Sequence, residues 1–216
     1  MGFYSTKPAF RVALRPLART LGVIHPDVWT WIAVGAASLA GLLLLKSQQR
    51  LSWLLVVPGL LFLRLLLNVL DGVIAQETRT ASAKGEALSE FTDRLSDLAV
   101  LIGFALSGFG VVSLAMTAAV VVLLVSYVGI LGKAVGAGRQ YGGLMRKPDR
   151  MVVVMIACVA QYILQRTGVV LPEVLRYQFT AFDWGSIVII VLGTYTILFR
   201  LRSIFRILQI PDARHG

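Results

Sequence analysis

Apolar residues fall into six long blocks, at about 28–45, 53–76, 87–109, 111–131, 151–164 and 184–205, separated by polar connections. A helix needs roughly 20 predominantly apolar residues to cross a bilayer core, so the pattern predicts six membrane-spanning helices. A further element precedes them. Over residues 7–21, Phe10, Leu14, Leu17 and Leu21 share one helical face and Arg11, Arg15 and Arg19 another, the pattern of a helix lying in the membrane interface, kinked at Pro16. It acts as a topology anchor or helps admit anionic lipid. The expected architecture is an all-α integral membrane protein: an amphipathic interfacial segment over 1–27, then a six-helix transmembrane domain over 28–216.

Composition agrees. A hydrophobic content of 57% and a mean hydropathy of +0.78 exclude an ordinary soluble domain. The net charge of +10 invites a nucleic-acid reading, but zinc spacings, RNA-binding signatures and a detached basic domain are all missing, so no nucleic acid is expected. Basic residues at span ends facing an anionic cytoplasmic leaflet account for the charge better. With both termini on one side, the opposite side receives only Lys46, Arg50, Arg166 and Arg176, which predicts cytoplasmic termini. Trp29 and Trp31 read as interface anchors. Cys158 lies alone in an apolar run, a packing residue. His25 and His215 are isolated and support no zinc site. The first residues lack the apolar core and small-residue cleavage site of a secretory leader.

One stretch breaks the apolar pattern. Asn68 to Asp97 begins inside the second block and ends inside the third, carrying carboxylates into what should be hydrocarbon. Ionisable residues there are costly and mark function by default. On a helix, Asn68 and Asp71 share a face, and Ser89, Asp93 and Asp97 form one stripe, with Glu90 beside it. Gly72 and Gly85 permit close backbone approach of a ligand. Oxygen ligands converging from two helices suit a hard divalent cation such as Mg²⁺, or Mn²⁺, completed by water and substrate phosphate. Arg64, one turn before Asn68, pairs with a carboxylate or reaches lipid phosphate; both readings stand.

A second stretch, Lys133 to Arg150, interleaves Lys133, Arg139, Arg146, Lys147 and Arg150 with Gly136, Gly138, Gly142 and Gly143. It reads as an anion cradle of guanidinium groups and backbone N–H, or as a solvated positive-inside loop. Arg200, Arg202 and Arg206 at the end of the last block read first as cytoplasmic anchors and second as further phosphate contacts.

The acidic stretch resembles the signature of the CDP-alcohol phosphotransferase family, D-x2-D-G-x2-A-R-x8-G-x3-D-x3-D. Asp71, Gly72, Ala75, Gly85 and Asp93 fall on signature positions; Asn68, Gln76 and Ser89 replace an Asp, an Arg and an Asp. Asp93 to Asp97, D-R-L-S-D, resembles the branch that makes phosphatidylinositol-type lipids. The resemblance implies metal ligation by Asp71 and Asp93 with Asn68 and Ser89 as neutral ligands. Glu90 or Asp97 would replace the missing acidic ligands. It implies nucleotide contacts at Asp71, Gly72, Ala75, Gln76 and Gly85, and a catalytic base at Asp93, with Asp97 the alternative. Ser126, Lys133, Arg139 and Arg150 resemble the acceptor-phosphate contacts, with Arg146 and Lys147 in the same segment.

The expected reaction transfers a phosphatidyl group from CDP-diacylglycerol to an alcohol and releases CMP. The basic stretch favours a phosphorylated polyol, inositol phosphate or glycerol 3-phosphate, as acceptor. The resemblance also implies a homodimer in the lipid bilayer. A non-catalytic CDP-lipid-binding relative and an ion-coupled transporter are the competing classes; the absence of recognisable inverted halves counts against the transporter.

Overall fold

The first of the long helices starts where its chemistry says it should. Pro26, whose missing N–H costs nothing at a first helical position, follows His25, whose Nδ1 accepts from the Asp27 N–H at 3.3 Å. The computed structural model describes residues 16, 18, 20–171, 173–174 and 177–209. Most of the amphipathic segment expected before residue 21, including Arg11, Arg15 and Arg19, lies outside the described residues.

Among the described residues six long helices follow in order: α1 (Pro26–Leu45), α2 (Trp53–Glu77), α3 (Ala83–Ala105), α4 (Val112–Ala134), α5 (Lys147–Thr167) and α6 (Ala181–Leu208). All except α3 are long and apolar enough to cross a membrane. The sequence pattern predicts six such spans; α3 falls short because Glu86, Glu90, Asp93, Arg94 and Asp97 crowd its first two thirds.

Boundaries differ from the apolar blocks where caps extend a helix past its apolar part. α5 begins at Lys147, four residues before the apolar block, because Asp149 accepts from the Arg146 backbone and Pro148 sits in the first turn. α6 begins at Ala181, where Thr180 and Asp183 cap each other reciprocally. α3 begins at Ala83 through the Ser82 hydroxyl, which accepts from the Gly85 N–H at 3.1 Å. Between α5 and α6 a two-residue hairpin, β1 (Glu173–Val174) with β2 (Tyr177–Gln178), pairs antiparallel with Glu173 opposite Gln178. Nothing in the periodicity announces it.

α1 packs on both α2 and α3, α4 on α6, and α5 on α2 and α6. The α1–α3 contact is backbone on backbone. A Cβ at Gly41 would overlap the Ala99 carbonyl, and one at Gly103 would overlap Gly41 itself, the small-residue packing that helices in lipid depend on. Leu54, Leu61, Val100, Phe104, Val122, Met151, Phe182 and Ile189 form the main core, with the Phe104 and Phe182 rings stacked at 4.1 Å. Cys158 is buried in that core, as its apolar run predicts. Phe62, Val120, Ile156, Val191 and Leu198 point outward, the apolar exterior a hydrocarbon solvent accepts.

Candidate active site

The polar residues of α2 and α3 meet at one end of the bundle. Asp71, near the C-terminal end of α2, is buried and accepts a 2.8 Å hydrogen bond from the Thr30 hydroxyl of α1. Asp93, two turns beyond Gly85 on α3, is paired with the Lys147 ammonium at the start of α5, and Arg94 lies 3.9 Å from its other oxygen. Both carboxylates open onto a single cleft of about 880 Å³. Packed hydrocarbon does not separate them.

The cleft has two chemically distinct sides. Asn68, Gly72, Ala75, Gln76 and Gly85 line the part next to Asp71. Ser126, Arg139, Arg146, Arg150 and Arg200 line the other. The loop after α4 is drawn over this second side by Arg200, whose Nε donates to the Gly142 carbonyl at 2.9 Å and whose Nη1 donates to the Val125 carbonyl at 2.6 Å. Gly129 is what admits that guanidinium, since a Cβ there would stand 2.8 Å from Arg200 Nη1. The loop then bends at Gly143, whose φ of 106° an L side chain rarely adopts, so that the Leu144 and Met145 N–H groups reach the Thr196 hydroxyl.

A chain of ion pairs ties the basic loop to the mouth. Glu86 meets Lys133 at 2.7 Å and Arg139 at 3.6 Å, while Glu90 is paired with Arg139 and, at 3.1 Å, with Arg94. Burial disfavours the Arg139 charge, but Glu90 and then Glu86 outweigh it and hold the guanidinium above its ordinary pKa.

The structure brings most of the expected residues to one place, with three exceptions. Lys133 is half-exposed at the rim against Glu86 and does not line the cleft. Glu90, expected as a substitute metal ligand, lines the cleft but gives its carboxylate to Arg139 and Arg94. Asp97, expected as a substitute ligand or alternative base, lies outside the cleft wall, fully buried between Arg64 and Arg150. For Arg64 the carboxylate reading is the one found.

Two side chains of the cleft wall escape the periodicity argument. Thr30 is foreshadowed only by the H-P-D-V-W-T opening of α1, and Arg200 reads first as an anchor because span ends carry arginine routinely.

The donor set can be tested against a divalent cation. Among the described residues, no three His, Cys, Asp or Glu side chains converge as a metal cluster. Two carboxylates, Asp71 and Asp93, nevertheless face one cleft, and the half-buried Asn68 lines it beside them with an amide oxygen to offer. Ser89 also lines the cleft. One or two carboxylates with neutral oxygens, completed by water and substrate phosphate, are what Mg²⁺ accepts; the residues fit.

No family model matches the chain. Its relatives are clear. It is 32% identical over 162 residues to the phosphatidylinositol phosphate synthase of Mycolicibacterium smegmatis, covering 71% of this chain and 71% of that protein. It is also 32% identical over 155 residues to the inner membrane protein YnbA of Escherichia coli, covering 71% of this chain and 77% of that one. The crystal structure of Mycobacterium tuberculosis phosphatidylinositol phosphate synthase with CDP-DAG bound shares the fold, with a TM-score of 0.70 at 22% identity over 88% of this chain and 92% of that chain. The same synthase in complex with manganese and citrate superposes with a TM-score of 0.69 at 23% identity, covering 88% of each chain. The fold and the cleft define a polytopic membrane protein of the lipid-transferase type, and the chain belongs to the CDP-alcohol phosphotransferase family.

Proposed function

We propose that this protein is a membrane phosphatidyltransferase that moves the phosphatidyl group of CDP-diacylglycerol onto an alcohol phosphate and releases CMP. One observation carries the reading: Asp71 and Asp93, from two neighbouring helices, face a single cleft whose far side is lined with arginine. Acid beside base is what a reaction between a nucleotide-linked lipid and a phosphorylated, water-soluble acceptor requires.

The acceptor hydroxyl oxygen forms a bond to the phosphatidyl phosphorus, the bridging oxygen of the diphosphate leaves with CMP, and Asp93 accepts the hydroxyl proton. Asp71 and Asp93, with Asn68 and Ser89, would hold a Mg²⁺ or Mn²⁺ ion, which would supply charge neutralisation at the diphosphate. Thr30 fixes the Asp71 carboxylate by donating to one of its oxygens. Gly72, Ala75 and Gly85 give the nucleotide a wall of small residues, with the Gln76 amide beside them. Arg150 and Arg200 offer guanidinium groups to the acceptor phosphate, and Arg139 and Lys147 join them when their carboxylate partners turn to other ligands. Positioning and charge neutralisation supply most of the rate in such transfers.

The chain is a divergent family member, with Asn68, Gln76 and Ser89 at signature positions. Fewer fixed negative charges mean weaker metal binding, which the substrate diphosphate then has to complete. The cleft opens on the cytoplasmic side, supported by the distribution of Lys and Arg among the connections. α3 completes a sixth crossing, with Asp93 and Asp97 turned toward its neighbours.

The test uses purified protein with labelled CDP-diacylglycerol and a panel of alcohols and alcohol phosphates, with and without Mg²⁺. CMP release that needs both metal and a polyol phosphate is the expected result. A non-catalytic lipid-binding relative is favoured by one observation, the Lys147 ammonium paired with Asp93. Nucleotide binding without CMP release from any acceptor would establish that reading instead.

A further inference from the structure

Asp97 is fully buried one helical turn past Asp93, yet it takes no part in the cleft wall. It is clamped between two guanidinium groups from different helices. Arg64 of α2, itself fully buried, donates from Nη2 to Asp97 Oδ1 at 2.9 Å and to the Asp93 carbonyl at 3.2 Å. Arg150 of α5 donates to Asp97 Oδ2. Arg150, unlike Arg64, also lines the cleft.

Stability alone is a poor explanation of this triad. A buried carboxylate and two buried guanidiniums each lose water, and replacing such a cluster with apolar side chains is often neutral or stabilising. The pairing here is also incomplete: Arg64 Nε and Nη1 and Arg150 Nε have no hydrogen-bond partner. What the triad does achieve is geometric. It pins one edge of the Arg150 guanidinium at a point beneath the cleft and ties the turn of α3 that carries Asp93 to α2.

We propose that Asp97 is a positioning residue: it acts through Arg150, orienting that guanidinium toward the phosphate of the acceptor, while Arg64 neutralises Asp97 and braces Asp93. The inference rests on the reading of the arginine-lined side as an acceptor-phosphate site, and it makes Asp97 neither base nor metal ligand. Its removal therefore weakens acceptor binding selectively and leaves the nucleotide side intact.

Binding is measured by calorimetry on the full chain in nanodiscs, with glycerol 3-phosphate and inositol phosphate as probes and CDP-diacylglycerol as the control ligand. Asp97→Asn alone leaves two buried cations and is prone to misfold. The informative variant is Asp97→Asn with Arg64→Met, which keeps the net charge of the triad and removes the carboxylate anchor of Arg150 together with the Arg64 bond to the Asp93 carbonyl. Arg64→Met alone retains that anchor. The expected result is a loss of polyol-phosphate affinity of about tenfold in the double variant, the scale of one displaced charge-assisted hydrogen bond. Arg64→Met alone should leave that affinity near the wild-type value, and CDP-diacylglycerol affinity should be unchanged in both variants.

A double variant that binds the polyol phosphate as wild type does, or that loses both ligands equally, overturns the proposal, as does a wild type that binds neither probe. CMP release by the wild type is scored separately. Phosphate binding that follows this order without turnover leaves the positioning role standing and removes the enzyme reading.

Discussion

The Thr30 hydroxyl donates to Asp71 Oδ2 at 2.8 Å and so ties the first turns of α1 to the end of α2 at the edge of the cleft. The Pro26 carbonyl of its own helix, 3.4 Å away, is the more distant acceptor for the same proton. Unpairing one oxygen of a buried carboxylate costs about 1–3 kcal/mol, so Thr30→Val should lower kcat/KM for CDP-diacylglycerol by roughly tenfold or more. The KM of the acceptor should not move. Steady-state CMP release against each substrate in turn distinguishes the two.

Asp93 faces the cleft with Lys147 on one oxygen. A positioned general base contributes about 10²–10⁴ in rate. Asp93→Asn should therefore reduce kcat by that order while the protein still binds CDP-diacylglycerol. Turnover close to wild type in this variant would take the base assignment away from Asp93.

Chelation offers a separate check. Asp71, Asp93, Asn68 and Ser89 provide only two charges to a cation, so metal should be held weakly and leave readily. Dialysis against EDTA should abolish CMP release, and Mg²⁺ or Mn²⁺ should restore it. Activity that survives chelation would remove the cation from the reaction.

Glu90 occupies Arg139, and Glu86 shares it from 3.6 Å. Neutralising the nearer carboxylate frees a guanidinium at the arginine-lined side of the cleft. Glu90→Gln should lower the KM of a polyol phosphate several-fold, an effect that fades as salt screens it over about 10 Å at 0.1 M. Glu86→Gln, at an exposed pair with Lys133, should change little.

Helix contact supplies a stability test. Gly41 and Gly103 stand where any Cβ meets backbone of the facing helix, whereas nothing lies within 4 Å of a Cβ at Gly59. Overpacking of this kind costs about 1–3 kcal/mol and backbone has less room to yield than side chains, so Gly103→Leu should lower the melting temperature in detergent markedly. Gly59→Ala should not lower it.

Much of this protein is written in local pattern. The apolar blocks place α1, α2, α4, α5 and α6, because a helix that must satisfy its backbone bonds internally in lipid has only its length and composition to declare. Likewise, the three- and four-residue spacing of Asn68, Asp71, Ser89 and Asp93 puts each group on one helical face. The start of α5 is capped by Pro148 and Asp149, local signals that lie inside a basic connection and outside the apolar block.

The tertiary structure decided which charges meet. Asp97 continues the stripe of Asp93 in sequence, yet Arg64 and Arg150 claim it from 33 and 53 residues away. Thr30 reaches Asp71 across 41 residues, and Arg200 reaches Val125 across 75. Helical periodicity determines which way a side chain points along its own axis. It carries no information about which neighbouring helix waits there, and that choice separates an acid that faces substrate from one locked beneath it.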